Sequence, residues 1–286
     1  MDNMRVLALL DGTILDPDAP LLRADDLGVL RGDGVFETVL VVDGKPRELG
    51  PHLDRLARSA HMLELPEPDS AEWEHCAKAV IDAWDWAASP EMALKLVYSR
   101  GPEFGEGQTA YAMGLQIGAG VVRRRQDGVS ALTLARGFEP AEAERSPWLL
   151  LGAKSLSYAV NMAAIRHAEA NGVDEVIFTA ADGSVLEGPT ANVVVANGRT
   201  LRTTPPVIGI LPGTTQAALF RAAEKAGWET RIEPIQAEEL TSADGLWFLS
   251  SVRRVTQIRT LNGQPVAASA ELHAELSELY ESNYRD

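Results

Sequence analysis

Strand-like and helix-like runs do not alternate one for one in this chain, and that irregular order constrains its fold more than any other feature. Met4–Leu10 reads as a strand closed by the turn Asp11-Gly12. Val35–Val42, rich in β-branched residues, leads through Asp43-Gly44 into a returning strand, Lys45–Leu49. Pro51 opens a helix to about Leu63, with Leu53, Leu56, Ala60 and Leu63 near helical spacing, and Ser70 caps a second helix to about Ala88. Ala93–Tyr98 and Tyr111–Ile117 are strands by pattern, and Gly118–Gly128, carrying Arg123-Arg124-Arg125, reads as a solvated linker. Beyond it, Ser130–Ala135 is a strand, and the apolar run Leu149–Ala153 leads into Lys154 before a helix over Tyr158–Asn171. Three strands follow, Glu175–Thr179, Ser184–Glu187 and Asn192–Ala196, with hairpin turns at Asp182-Gly183 and Asn197-Gly198. A helix over Thr214–Ala226, strands Leu246–Ser250 and Val255–Arg259, and a helix over Ser269–Tyr280 complete the chain. A doubly wound sheet needs regular strand–helix alternation, so the pattern predicts mixed α+β or α/β domains instead. We expect an N-terminal domain over 1–117, a linker over 118–128 and a C-terminal domain over 129–286.

Charge and cysteine usage narrow the function. The 286 residues carry 41 acidic and 26 basic side chains, a formal net charge of −15. Such a chain repels phosphate backbones and anionic lipid, so neither nucleic acid nor membrane is expected as a partner. Cys76 is the only cysteine, which excludes internal disulfides and thiolate metal clusters and suits a reducing cytoplasm. Met1–Leu10 meets Asp11 too soon to read as a signal peptide, and no run is long enough to span a bilayer. His52, His61, His75, His167 and His273 show no metal spacing, so no metal is expected.

Lysine is scarce: Lys45, Lys78, Lys95, Lys154 and Lys225. Lys154 stands apart because Gly152, Ala153 and Ser155 flank it, and small neighbours let a bulky group approach the chain. A lysine in a poorly hydrated place serves as nucleophile and base, although a surface lysine at a strand end fits the same residues. Glu187 ends a hairpin and can face a buried cationic nitrogen, or simply solvent. Gly209–Thr215 opens a helix whose free N–H groups attract phosphate, unless Thr214 merely caps it. Ser250-Ser251 adds hydroxyls. Arg55 offers a balancing charge, or an ordinary helical ion pair.

Taken together, Arg31–Thr38, the helix carrying Arg55, the run from Lys154 to Asn192, Gly209–Thr215 and Ser250-Ser251 resemble the aminotransferase class IV family. The 33-residue step from Lys154 to Glu187 fits it too. The resemblance implies two mixed domains of the D-amino-acid aminotransferase-like type with pyridoxal 5′-phosphate in the interdomain cleft, and a homodimer acting on a small amino substrate. By that resemblance Lys154 bonds the cofactor and Glu187 faces its pyridine nitrogen. Arg55, Thr214, Thr215 and Ser251 hold the phosphate, and Leu211 packs on the ring. Asn192 matches the asparagine of the family's Glu-Gly-x-x-x-Asn pattern and is assigned to substrate binding. Tyr158 is expected in a helix core rather than at the cofactor.

The family holds both lyases and transaminases. Gly32–Thr38 resembles 4-amino-4-deoxychorismate lyases, in which a threonine at the position of Thr38 passes a proton to the departing enolpyruvyl group. Glu37 is more like the D-amino-acid transaminases. Those enzymes carry a carboxylate-binding arginine four residues after the glycine of Tyr98-Ser99-Arg100-Gly101, where this chain has Gly105. Arg100 and Arg253 are therefore the expected ligands of a substrate carboxylate, with a surface role as the alternative for Arg253. Expected first is conversion of 4-amino-4-deoxychorismate to 4-aminobenzoate and pyruvate. The alternatives are D-amino-acid or branched-chain transamination and, from another class, a non-catalytic phosphate-ligand binder.

Overall fold

The computed structural model describes residues 4–267 and 269–285, so Met1–Asn3 of the apolar start lie outside the described residues. The chain divides into two compact units, one of Met1–Gly118 with Ala153–Tyr158, the other of Ala119–Gly152 with Ala159–Asp286. Lys154 thus groups with the N-terminal sheet. Gly118–Gly128, expected as a linker, is largely the helix Ala119–Asp127 of the second unit.

The first unit is built on β1 (Arg5–Leu9), β2 (Ile14–Leu15), β3 (Gly34–Val42), β4 (Lys45–Pro46), β5 (Glu91–Ser99) and β6 (Thr109–Gln116), in the order β2-β1-β6-β5-β3-β4. Every pairing is antiparallel. Helices α1 (Leu27–Arg31), α2 (Leu49–Met62) and α3 (Ser70–Asp82) accompany the sheet. The expected spacing on α2 is real, since Leu53, Leu56 and Ala60 are buried. The returning strand stops at Pro46 because Glu48 adopts φ +57 and Leu49 already starts α2. Helix α3 ends before Ala88 because Trp86 Nε1 donates to the Ile81 carbonyl at 3.0 Å and Trp84 Nε1 to that of Ser89 at 3.0 Å.

The second unit contains α4 (Ala119–Asp127), β7 (Val129–Ala135), α5 (Glu142–Arg145), α6 (Ala159–Ala170), β8 (Glu175–Thr179), β9 (Asn192–Asn197), β10 (Thr200–Thr203), α7 (Thr214–Lys225), β11 (Glu229–Ile232), β12 (Gly245–Ser250), β13 (Arg254–Leu261), β14 (Gln264–Pro265) and α8 (Ala270–Ser282). Its sheet runs β11-β10-β9-β12-β13-β7-β8, with β14 on β13, and mixes parallel and antiparallel pairs. Strand β9 shows why both faces are covered. Val193 and Val195 point into one core with Phe248 and Ile258, while Val194 and Ala196 point into another with Leu219, Trp247 and Tyr280. Leu149–Ala153 is not a strand: a 3-10 turn at Pro147–Leu149 precedes Leu150 at φ +53 and Gly152 at φ +84. Ser184–Glu187 makes only isolated bridges, Thr179 to Val185 and Ser184 to Gln236. Among the described residues, no helix is long and apolar enough to cross a membrane.

Candidate active site

In the first unit the site is built around β3. Residues 154–156 pair with the start of that strand: Phe36 N–H donates to the Lys154 carbonyl at 3.0 Å and Leu156 N–H to that of Gly34 at 2.8 Å. Gly34 makes room for this, because a Cβ there would lie 2.7 Å from both Leu156 Cδ1 and Ser99 Cα. Lys154 N–H also donates to Ser59 Oγ of α2 at 3.1 Å, so its backbone is held by two elements. Its Nζ stands 4.4 Å from the Phe36 ring centroid, 5.4 Å from that of Tyr158 and 3.4 Å from Tyr158 Oη. Tyr158, expected in a helix core, precedes α6 and meets Phe36 edge to face at 5.1 Å. Thr38 lies two residues beyond Phe36 on the same face of the strand and is half-buried.

The opposite face of β3 presents Glu37 to α2. Arg55 Nε and Nη2 donate to Glu37 Oε1 and Oε2 at 2.6 and 2.8 Å, and His52 Nδ1 is 2.7 Å from Oε2. All three are buried, Glu37 completely. Burial alone would raise the Glu37 carboxyl, but the Arg55 charge, with His52, holds it well below the usual carboxylate range. Burial lowers the His52 pKa against the pull of Glu37. An ionised carboxylate only accepts, so the His52 proton sits on Nδ1 and points at Glu37. Arg55 is thus no surface arginine. Sequence reasoning took Glu37 only as a subgroup marker and His52 as a surface residue. The signal it missed is a histidine and an arginine one helical turn apart, facing a strand carboxylate.

Arg100 is committed elsewhere. Its Nε and Nη2 donate to Asp33 at 2.6 and 3.1 Å, and Nη2 also to the Leu63 carbonyl at 2.7 Å. Arg31, two residues before Asp33, turns instead to Glu103 at 3.2 Å.

In the second unit, Glu187 Oε2 accepts the Leu211 N–H at 3.2 Å, and Asn192 Nδ2 donates to the Leu211 carbonyl at 2.8 Å. Leu211 is therefore fixed at both ends of its peptide, and Asn192, expected at the substrate, braces this loop. A Cβ at Gly213 would sit 2.1 Å from Asn192 Oδ1, so only glycine fits the approach. Gly213 is also the N-cap of α7 and brings no side chain to the helix start, where Thr214 and Thr215 are buried. Ser251 sits half-buried in the turn between β12 and β13. Arg253 is buried, not superficial, and forms an ion pair with Glu175. Among the described residues no cluster of His, Cys, Asp and Glu could hold a metal ion. Cys76 is buried in α3, its thiol pushed up to about 11 by that burial.

An antiparallel sheet in one unit and a mixed sheet in the other, a lysine seated on aromatic rings, and a glycine-capped helix start whose loop is held by a carboxylate are the features of a class of amino-group enzymes. The family described as amino-transferase class IV matches residues 34–261, and the chain belongs to it. It is 44% identical over 280 residues to the bifunctional aminodeoxychorismate lyase / D-amino acid transaminase of Mycobacterium tuberculosis, covering 95% of this chain and 97% of that one. A solved structure of a hypothetical aminotransferase from the same organism, bound to alpha-ketoglutarate and PMP, superposes with a TM-score of 0.94 at 44% identity and covers 98% of this chain and all (100%) of that one. A fold IV-transaminase from Curtobacterium pusillum gives a TM-score of 0.92 at 40% identity, over 99% of this chain and 100% of that one.

Proposed function

We propose that the chain is a pyridoxal-phosphate enzyme of the reducing cytoplasm that converts 4-amino-4-deoxychorismate to 4-aminobenzoate and pyruvate, and that also transaminates D-amino acids. The observation that carries this proposal is the seat of Lys154, whose backbone is held by β3 and α2 while its amine lies over Phe36 and Tyr158. The residues fit the cofactor. Its phosphate needs N–H and hydroxyl donors, which the glycine-capped start of α7 offers with Thr214 and Thr215. Its pyridine nitrogen needs a carboxylate, and Glu187 is one that Leu211 N–H already orients. When bound, the cofactor supplies an aldehyde that takes up an amine and a ring that accepts the electrons left by a departing proton.

In this account Lys154 Nζ anchors the cofactor. With the cofactor bound, Nζ would be the base that takes the proton from the carbon bearing the substrate amine. Glu187 would hold the pyridine nitrogen, and Leu211 would lie against the ring. Arg55, Thr214, Thr215 and Ser251 would hold the phosphate. Thr38, on the face of β3 that also carries Phe36, would relay a proton from its hydroxyl to the departing enolpyruvyl group, and the proton taken up by Nζ would balance the one that restores that hydroxyl. Asn192 acts through Leu211. The 44% identical relative supports the pairing of lyase with transaminase, since its name includes both activities.

A paired assay tests the proposal. With 4-amino-4-deoxychorismate and no keto acid, pyruvate and 4-aminobenzoate should form in equal amounts. D-Alanine with 2-oxoglutarate should give slower turnover. Turnover of the second pair alone would make the protein a transaminase and remove the lyase step.

A further inference from the structure

We infer that Arg253 and Arg125 are positioning residues that lock the Ser250–Arg254 turn against the Gly188–Ala191 turn, and so hold Ser251 ready for a phosphate group. The inference rests on the assignment of Ser251 to the cofactor phosphate. Arg253 spends its donors on protein acceptors: it pairs with Glu175, donates from Nη2 to Thr190 Oγ1 at 2.7 Å, and from Nε to Ser250 Oγ at 3.4 Å. Its guanidinium also lies 6.0 Å from the Phe248 ring centroid. That same ring is what a Cβ at Gly188 would strike, 2.8 Å from Cε1, so the turn after Glu187 rests on Phe248 too. Arg253 is 8% exposed and Glu175 2%. A substrate carboxylate would have to displace Glu175, whose Oε2 has no hydrogen-bond partner among the described residues. Positioning, not substrate binding, is the role this geometry allows.

The carbonyls of the turn are pinned in turn. Arg125 of α4 donates to the Val252 carbonyl from Nε at 2.9 Å and from Nη2 at 2.5 Å. Thr256 Oγ1 donates to the Arg253 carbonyl at 2.9 Å. Arg254 then closes the turn at φ +56. The basic run that looked like a solvated linker is thus part of a clamp on a hydroxyl-bearing loop. A pre-set donor binds more tightly than one that must be ordered on binding.

Comparing pyridoxal phosphate with pyridoxal, which lacks the phosphate, tests this. The holoprotein is dialysed to equilibrium against graded amounts of each, and bound cofactor is read by absorbance. Arg253→Met should weaken pyridoxal phosphate by about tenfold and leave pyridoxal nearly unchanged, the loss expected when one charge-assisted contact is misplaced. Ser251→Ala should give the same loss, with no further loss in the double variant. Arg253→Lys keeps the charge but not the fork, and should fall with Arg253→Met. Should Arg253→Met fail to fold, Thr190→Val and Arg125→Gln leave the buried ion pair intact and should weaken pyridoxal phosphate selectively. An unchanged ratio of the two affinities in these variants overturns the inference, whether KM for carboxylate substrates rises or only Tm falls. Full rescue by lysine also overturns it. If the unsubstituted protein binds both cofactors equally, the phosphate assignment of Ser251 itself is wrong and the clamp loses its purpose.

Discussion

Glu37 shows how one residue can serve stability and the site together. Its carboxylate pairs with Arg55 where both are buried, and removing one partner of such a pair leaves a buried charge uncompensated. Glu37→Gln should therefore cost about 3–5 kcal/mol of unfolding free energy near neutral pH, measured by urea unfolding. The pH profile should carry the same signature. Glu37 is depressed below its ordinary 4.5 in the fold, so its contribution is complete above that pH and is lost as the solution becomes more acidic. His52 is depressed below its ordinary 6.5, so its contribution is likewise complete above that value and shrinks beneath it. Stability should begin to fall below about pH 6.5 through His52 and fall further below about 4.5 through Glu37. The lower step should be missing in Glu37→Gln. A variant with the parental acid profile would separate Glu37 from that step. Little of this network was legible beforehand. The residue types were visible, but only the register of β3 against α2 turns Glu37 inward and leaves Thr38 on the other face.

At the scale of elements, the weight of a cap depends on what else it holds. Ser269 Oγ accepts the Leu272 N–H at 3.2 Å and serves α8 alone, so Ser269→Ala should cost about 1 kcal/mol. Asp26 is buried and caps α1 through Gly28 N–H at 2.8 Å, while also accepting from Ser99 Oγ at 2.9 Å and Thr109 Oγ1 at 2.5 Å. Asp26→Ala strips partners from two further strands and should cost about 3 kcal/mol, seen as a lower urea midpoint at unchanged m. A Ser269 loss equal to that of Asp26 would contradict this ranking. Legibility follows the same logic. Strand β9 could be read because its valines and the turn Asn197-Gly198 agree, and α2 because its leucines keep helical spacing. Leu149–Ala153 looked like a strand from its apolar side chains, but the left-handed backbone at Leu150 and Gly152 forbids one. Strand β10 and the edge strand β11 went unread, for Thr200–Thr203 and Glu229–Ile232 are short and largely polar.

At the scale of the whole molecule, each unit has its own sheet, and the residues proposed for the cofactor are drawn from both. Lys154, Arg55 and Thr38 belong to the first unit, and Glu187, Leu211, Thr214, Thr215 and Ser251 to the second. Two domains were expected from the glycine-bearing stretch at 118–128 and the family resemblance, but the return of Ala153–Tyr158 to the first unit was not. Its cause is the pairing of residues 154–156 with β3, a long-range contact that local pattern does not encode. The family resemblance implies a homodimer, for which sedimentation equilibrium should return twice the chain mass. A monomer at micromolar concentration would contradict it.

The central claim is that Lys154 carries the cofactor, and covalent trapping tests it most directly. Holoprotein reduced with borohydride, digested and mapped by mass spectrometry should bear one phosphopyridoxyl group, on Lys154, and Lys154→Ala should bear none. A label on Lys95 or Lys225, or an unlabelled protein that still turns over its amino substrate, would contradict the account.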